Sequence, residues 1–136
     1  MLLLYAGQLM TYEQIDDWKM EEGKSVFLLG FTSATESIEH AIKNIHNIKA
    51  NTLLEDESKP IKEVLFVIRI WNVTSYPGFK LNHPIYSAYS KECEHMLSQE
   101  MMVWLYGLEE IQITNQQYSQ YNIDSITTIY LDAFNY

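Results

Sequence analysis

The sequence predicts an α+β fold in which the helices come from the first half of the chain and strands dominate the second half. Two segments of the first half carry apolar residues at helical spacing, next to residues that cap or stop a helix. Later segments are rich in β-branched and aromatic residues and are separated by polar turns. Helices followed by runs of strands favour antiparallel sheets over a doubly wound fold.

The first half is predicted to alternate strands and helices. Residues 2–6 suit a strand, and "SVFLLGF" at residues 25–31 suits another. Between them Thr11 and Gln14 fit a capping box, and Gly23 fits a helix stop. A second helix is predicted by five apolar residues that keep helical spacing, namely Ile38, Ala41, Ile42, Ile45 and Ile48.

The second half is predicted to consist of strands. "EVLFVIRIW" at residues 63–71 is a nearly continuous apolar run, which is typical of a central strand buried on both faces. "MMVWLYG", "EEIQI" and "SITTIYLDAF" suit three further strands, with the polar stretch "TNQQYSQYN" as a turn.

Length and charge limit the classes of function. The 136 residues suit a single domain, 1–136, and nine basic against 18 acidic residues give a net charge of −9. This charge argues against nucleic acid or an anionic membrane as the main partner, because both require a basic surface. Cys93 is the only cysteine, and the histidines lack metal-site spacing. We expect a soluble, metal-free monomer, with the cytoplasm favoured and secretion left open.

Two acidic residues, Glu92 and Glu94, flank Cys93 in the segment "AYSKECEHML". If residues 92–97 form a strand, both carboxylates lie on one face and interact strongly enough to titrate as a coupled pair. In a helix they would point in different directions. Spacing alone favours a solvated strand end, because acid pairs of this kind are common.

The surroundings of these acids resemble the arginine-specific mono-ADP-ribosyltransferases, whose motifs run arginine, Ser-Thr-Ser and Glu-x-Glu. "LLLYAGQLMTYEQIDDWKMEEG" is similar to the family's first strand, its Tyr-Arg-Gly motif and the helix that follows. "GFTSATESIEHA" resembles the Ser-Thr-Ser strand and the next helix, and "YSAYSKECEHML" resembles the loop and strand that carry Glu-x-Glu. Together the three segments span roughly residues 2–106, at the scale of a domain.

The resemblance implies two packed antiparallel sheets around a cleft that holds NAD as co-substrate. By the family pattern, Glu94 stabilises the oxocarbenium-like transition state formed when the bond between nicotinamide and ribose breaks. Glu92 helps to deprotonate the guanidinium of an arginine on a target protein, because a charged guanidinium is a poor nucleophile. Ser33 orients Glu94, and Tyr89 packs against the incoming substrate.

The same resemblance assigns the NAD-binding contacts to Ala6, Gly7, Phe31, Ser33 and Thr35. Two positions depart from the pattern, since the motif arginine is replaced by Ala6 and the middle of the Ser-Thr-Ser triplet by Ala34. Alanine cannot form the charge-assisted hydrogen bonds that an arginine gives to phosphate or ribose. Arg69 could supply a cation instead, but we interpret it as a strand-end residue that reaches solvent.

The chain starts at the first strand of the pattern, whereas the family normally carries helices before it; a minimal domain, a trimmed one or a degenerate copy would each have this form. Three functions therefore stay open. The first is transfer of ADP-ribose from NAD to protein arginine. The second is a degenerate, non-catalytic relative that acts as an interaction module. The third is NAD glycohydrolysis, which requires Glu94 but not Glu92.

Overall fold

The computed structural model describes residues 2–28, 33–51, 60–71, 78–80, 94–97 and 101–134. For residues 28, 33, 51, 78–80, 94–97, 101 and 134 it describes the backbone only. The elements in chain order are β1 Leu2–Thr11, α1 Tyr12–Met20, β2 Lys24–Leu28, β3 Ser33–Thr35, α2 Ile38–Asn51, β4 Ile61–Trp71, β5 Gly78–Lys80, β6 Glu94–Leu97, β7 Met101–Gln112, a 3-10 helix Gln116–Tyr121 and β8 Ser125–Phe134.

The described strands form one eight-stranded sheet in the order β2-β7-β8-β4-β1-β3-β6-β5. Neighbouring strands are antiparallel except for β4 and β8, which are parallel. The expected pair of purely antiparallel sheets is therefore replaced by a single mixed sheet. The difference lies at β8, which is antiparallel to β7 on one side and parallel to β4 on the other.

The sheet has a narrow junction between β1 and β3. On one side lie five strands, with β1 and β4 paired from Leu2↔Ile70 to Thr11↔Ile61. On the other side lie the three short strands β3, β6 and β5. Among the described residues, β1 is connected with β3 by one pair of Cα partners, Tyr5↔Thr35. The sheet therefore consists of a five-stranded part and a three-stranded part, and both names are used below in this sense.

The two long helices contribute to clusters of buried residues on opposite faces of the five-stranded part. Ile15 and Trp18 of α1 pack in the first cluster, where Trp18 meets Phe66 edge to face with ring centroids 5.3 Å apart. Ala41, Ile42 and Ile45 of α2 pack in the second. Because successive residues of β4 enter alternate clusters, the prediction of a central strand buried on both faces is confirmed. Buried β4 residues are Val64, Leu65, Phe66, Ile68 and Ile70.

Local sequence signals explain the ends of α1. The predicted capping box is confirmed, since the Gln14 backbone N donates to Thr11 Oγ1 at 3.2 Å and the Thr11 backbone N donates to Gln14 Oε1 at 2.9 Å. After the helix, Gly23 has φ +80, a conformation that other residues adopt at a cost.

The second half differs from prediction at β7. The segments "MMVWLYG" and "EEIQI" were expected as separate strands, but they form one strand with an irregularity between Leu105 and Gly107. The bulge inserts an extra residue opposite β8, so a single strand contains a break in side-chain alternation. Residues 116–121, predicted as part of a turn, form the 3-10 helix. Within the described ranges, no helix is both long enough and apolar enough to cross a membrane.

Candidate functional site

Three sequence segments that are far apart in the chain lie side by side at the junction. Thr35 of β3 has Tyr5 of β1 as its Cα partner on one side and Glu94 of β6 on the other. Ser33 is the Cα partner of Met96 in the same ladder. The fold thus brings together "YAG", "SAT" and the last glutamate of "ECE", the segments singled out by sequence.

The two β1 positions expected to contact NAD lie among packing residues. Ala6 is 7 % exposed and belongs, with Ala34, to the buried cluster that also contains Ile15 of α1. Gly7 lies beneath α2: a Cβ added there would overlap Ile45 Cγ1 and come within 2.6 Å of the Ala41 carbonyl oxygen. Glycine at position 7 therefore allows the close approach of helix and strand.

Thr35 connects β3 to the start of α2. Its side chain is buried, and its Oγ1 accepts a hydrogen bond from the Ser37 backbone N at 3.1 Å. Ser37 Oγ in turn accepts from the His40 backbone N at 3.2 Å, as an N-cap residue does. The position opposite Glu94 is therefore coupled by hydrogen bonds to the first turn of α2.

Several predicted site residues lie outside what can be described. Phe31, Tyr89 and Glu92, together with Cys93, fall in undescribed ranges, and Ser33 and Glu94 are described by their backbone alone. Their roles stay predictions. The expectation that the carboxylates of Glu92 and Glu94 lie on one face of a strand also stays a prediction.

Sequence reasoning missed a charged pair formed by Arg69 of β4 and Asp132 of β8. Arg69 Nε donates to Asp132 Oδ1 at 2.5 Å, and Arg69 Nη2 donates to Oδ2 at 2.8 Å. The guanidinium also lies over the Tyr106 ring, 4.2 Å from its centroid. Hydrogen bonding to Asp132 raises the pKa of Arg69. The Arg69 side chain is 31 % exposed, so it reaches solvent in part near the end of β4, and the finding that sequence did not predict is its partner. No local signal reveals a partner 63 residues away.

A second polar cluster lies at the other end of the sheet. Lys62 Nζ lies 2.8 Å from Glu110 Oε1 and donates to the Ser125 carbonyl oxygen at 2.9 Å. These side chains line a cavity of about 530 Å³ beneath α1. Its described lining comes from α1, β4, β7 and β8 and includes no described residue of the junction, so we do not assign this cavity to the candidate site. Among the side chains that the structure describes, no group of His, Cys, Asp and Glu is arranged to hold a metal ion.

Comparisons with known proteins find similarity in structure and not in sequence. No protein family matches the chain, and no curated protein matches it. A crystal structure of the ADP-ribosyltransferase Vis in complex with the M6 inhibitor matches with a TM-score of 0.62 and 21 % identity, over 98 % of this chain and 48 % of that one.

Two further Vis structures agree. The Vis toxin, an ADP-ribosyltransferase from Vibrio splendidus, matches with a TM-score of 0.60 and 19 % identity, over 98 % of this chain and 48 % of that one. The complex of Vis with agmatine matches with a TM-score of 0.59 and 19 % identity, over 98 % of this chain and 49 % of that one. The chain therefore has the fold of an ADP-ribosyltransferase and spans about half the length of these solved structures.

Proposed function

We propose that this domain transfers ADP-ribose from NAD to arginine side chains of a target protein. The observation that supports this most is the alignment Tyr5–Thr35–Glu94 across three strands. It gathers the three motif segments in one place, as a site built from them requires. The ADP-ribosyltransferase fold of the chain is the second support.

In this proposal the five-stranded and three-stranded parts act as two sheets, and NAD lies in a cleft between them. The residues fit NAD in part. A carboxylate from position 94, next to Thr35, suits the ribose and the positive charge that develops on it. Position 6 does not fit the family's phosphate contact, because Ala6 has no donor and is buried among apolar side chains. The phosphates must therefore be bound by other groups.

The proposed reaction is a substitution at the ribose carbon. The carbon–nitrogen bond to nicotinamide breaks, its electron pair leaves with nicotinamide, and the ribose acquires oxocarbenium character. Glu94 stabilises that charge through its carboxylate. A guanidinium nitrogen then forms the new bond to the same carbon, and Glu92 accepts the proton that this nitrogen loses.

Arginine as acceptor is supported by the agmatine complex of Vis, because agmatine carries the same guanidinium group. The other two functions keep specific support. Burial of Ala6 in an apolar cluster favours a degenerate domain that no longer binds NAD. Hydrolysis of NAD would need only the carboxylate at position 94, with water as the acceptor.

In the test, the purified chain is incubated with NAD and an arginine-rich acceptor protein. Two products are measured, namely ADP-ribose bound to the acceptor protein and free ADP-ribose released into solution. In the proposed transferase, Glu94→Gln loses both activities, because the charge that stabilises the oxocarbenium is removed. Glu92→Gln loses transfer and keeps much of the hydrolysis, because water as the acceptor does not need a base that deprotonates a guanidinium. Glu13→Gln, an exposed acid of α1, is the control and keeps both.

Three outcomes contradict the proposal. Calorimetry that detects no NAD binding to the folded chain favours the interaction module. Release of free ADP-ribose without transfer favours the glycohydrolase. Equal loss of both activities in Glu92→Gln removes the support for arginine specificity.

A further inference from the structure

A small apolar cavity lies on the α2 face of the sheet. Its volume is about 210 Å³, and it is bounded by the start of α2, the end of β7, the 3-10 helix and β8. Five isoleucines form much of its wall, namely Ile38, Ile42, Ile111, Ile113 and Ile126. Tyr5 and Thr35 of the junction are not among the described residues that line this cavity.

One buried polar atom lines this cavity without a hydrogen-bond partner. Thr128 is 1 % exposed, and no hydrogen bond to its Oγ1 is found in the described part of the chain. Buried hydroxyl groups are normally hydrogen-bonded, because leaving one unpaired away from water costs free energy. An unpaired hydroxyl on a residue that lines a cavity is a candidate recognition group for a polar atom of a ligand.

A hydrogen bond next to the cavity joins the 3-10 helix to α2. Gln117 Nε2 of the 3-10 helix donates to Glu39 Oε2 of α2 at 3.0 Å. Their sequence neighbours Tyr118 and Ile38 both line the cavity. This exposed hydrogen bond joins the two elements that carry these wall residues.

The lining also restricts the charge of an occupant. No Asp, Glu, Lys or Arg is found among the described lining residues. A charged ligand would lose its hydration there without gaining a partner of opposite charge. A neutral molecule with a hydrogen-bonding group matches this lining, in which isoleucines provide most of the apolar contacts and Thr128 an unpaired hydroxyl. The remaining polar lining residues are Gln112, Thr114, Asn115 and Tyr118.

We propose that this cavity binds a small, neutral, ring-sized molecule that carries one hydroxyl or amine group, which pairs with Thr128 Oγ1. The size is suitable, because an engineered apolar cavity of about 150 Å³ in another protein binds benzene. The site is independent of the proposed NAD chemistry and holds whether or not the domain is an enzyme.

The test uses phenol and benzene as probes and the isoleucine δ1 methyl groups as reporters. In a methyl NMR spectrum of the whole chain, phenol should shift the signals of the five wall isoleucines in a saturable way. The signals of Ile68, Ile70 and Ile129, which are buried in the opposite cluster, should stay in place. Phenol should bind more tightly than benzene, since only phenol pairs with the hydroxyl.

Two variants of one position separate recognition from packing. Thr128→Val keeps the shape and removes the hydroxyl, so phenol affinity should fall about threefold to tenfold while benzene affinity holds. Thr128→Ser keeps the hydroxyl and should retain the preference for phenol. Absence of saturable shifts with either probe would overturn the proposal, and so would an equal effect of Thr128→Val on both probes. If the valine variant does not fold, loss of the phenol preference in the serine variant overturns it as well.

Discussion

Arg69 and Asp132 form a two-point ion pair across the parallel strands β4 and β8, directly opposite each other in the register. The Arg69 side chain is 31 % exposed and that of Asp132 is 11 % exposed. The carboxylate therefore has less contact with water and needs its protein hydrogen-bond donors more than the guanidinium needs its acceptor. Trp71 Nε1 also donates to Asp132 Oδ1, at 3.3 Å. Asp132 thus holds together the end of the central strand pair.

Removal of Asp132 should therefore destabilise the fold. Asp132→Ala leaves Arg69 and Trp71 Nε1 without their acceptor, and we expect a loss of about 1–3 kcal/mol in the free energy of unfolding. Urea denaturation measures this. The double variant Arg69→Met, Asp132→Leu should lose less than Asp132→Ala, because it leaves no unpaired charge. A loss in the double variant as large as that in Asp132→Ala would contradict the view that the unpaired charge causes the destabilisation.

Acid should weaken the fold through Glu63 and Glu110. Burial raises the pKa of Glu63, but the hydrogen bond from Lys49 at 2.7 Å and the charges of Lys49 and Lys62 outweigh burial and hold it below its ordinary value. Burial likewise raises the pKa of Glu110, and hydrogen bonds from Lys62, Ser125 and Thr127 lower it further than burial raises it.

A lowered carboxyl pKa in the folded state contributes stability above the ordinary pKa, and this contribution is lost as the pH falls through the folded value. The melting temperature should therefore drop as the pH falls below about 5, through the ordinary glutamate pKa of about 4.3 and on towards the lower folded-state pKa values. Glu63→Gln should melt lower than the parent chain at neutral pH and show a flatter pH profile. Glu13→Gln should follow the parent profile; if Glu63→Gln does so as well, the pair with Lys49 contributes nothing.

Gly7→Ala should be strongly destabilising although the substitution is small. The new Cβ would overlap Ile45 Cγ1 and approach the Ala41 carbonyl oxygen, which belongs to the backbone and cannot rotate away. We expect a loss of roughly 1–3 kcal/mol, the usual cost of overpacking. Gly107→Ala is a matched control, because its Cβ would meet nothing closer than 3.9 Å. Equal melting temperatures of the two variants would contradict the close contact between β1 and α2.

Ala6→Arg tests whether the cleft keeps room for the missing arginine. The family resemblance predicts that the substitution restores charge-assisted hydrogen bonds to NAD. The burial of Ala6 among apolar side chains instead favours a loss of stability of several kcal/mol, because the guanidinium would be desolvated without a partner. Thermal denaturation of the variant with and without NAD distinguishes a gain in NAD binding from a loss of stability. A stable variant whose melting temperature rises with NAD would show that position 6 opens onto the cofactor site.

Local signals in the sequence predicted local structure well. The Thr11–Gln14 capping box and the strand Ser125–Phe134 match prediction, because each depends on residues within one segment. The continuity of β7 was not predictable, since Gly107 is typical of a break and the bulge is defined only by pairing with β8. The acceptor for Arg69 was not predictable either, because Asp132 lies beside Arg69 only as a result of the pairing of β4 with β8.

The segments singled out for the candidate site were predictable, whereas their surroundings were not. Sequence motifs singled out the segments around Ala6, Thr35 and Glu94, and the register of β1, β3 and β6 places these segments side by side. Burial of Ala6 in the core and the role of Gly7 beneath α2 were not predictable, because both depend on which helix crosses β1. The hydrogen bond from the Ser37 backbone N to Thr35 Oγ1 depends on the exact start of α2.

The position of β8 between β7 and β4 affects the order of folding events. β8 is the last described strand in the chain, yet it lies inside the sheet, and residues that pair with it in β4 are 63 positions earlier. Closing so long a loop costs entropy before any contact repays it, so this pairing should form late. Until then, β4 and β7 each present an open edge with many β-branched and aromatic residues. Such edges attract other chains, so slow closure makes aggregation during refolding a specific hazard for this topology.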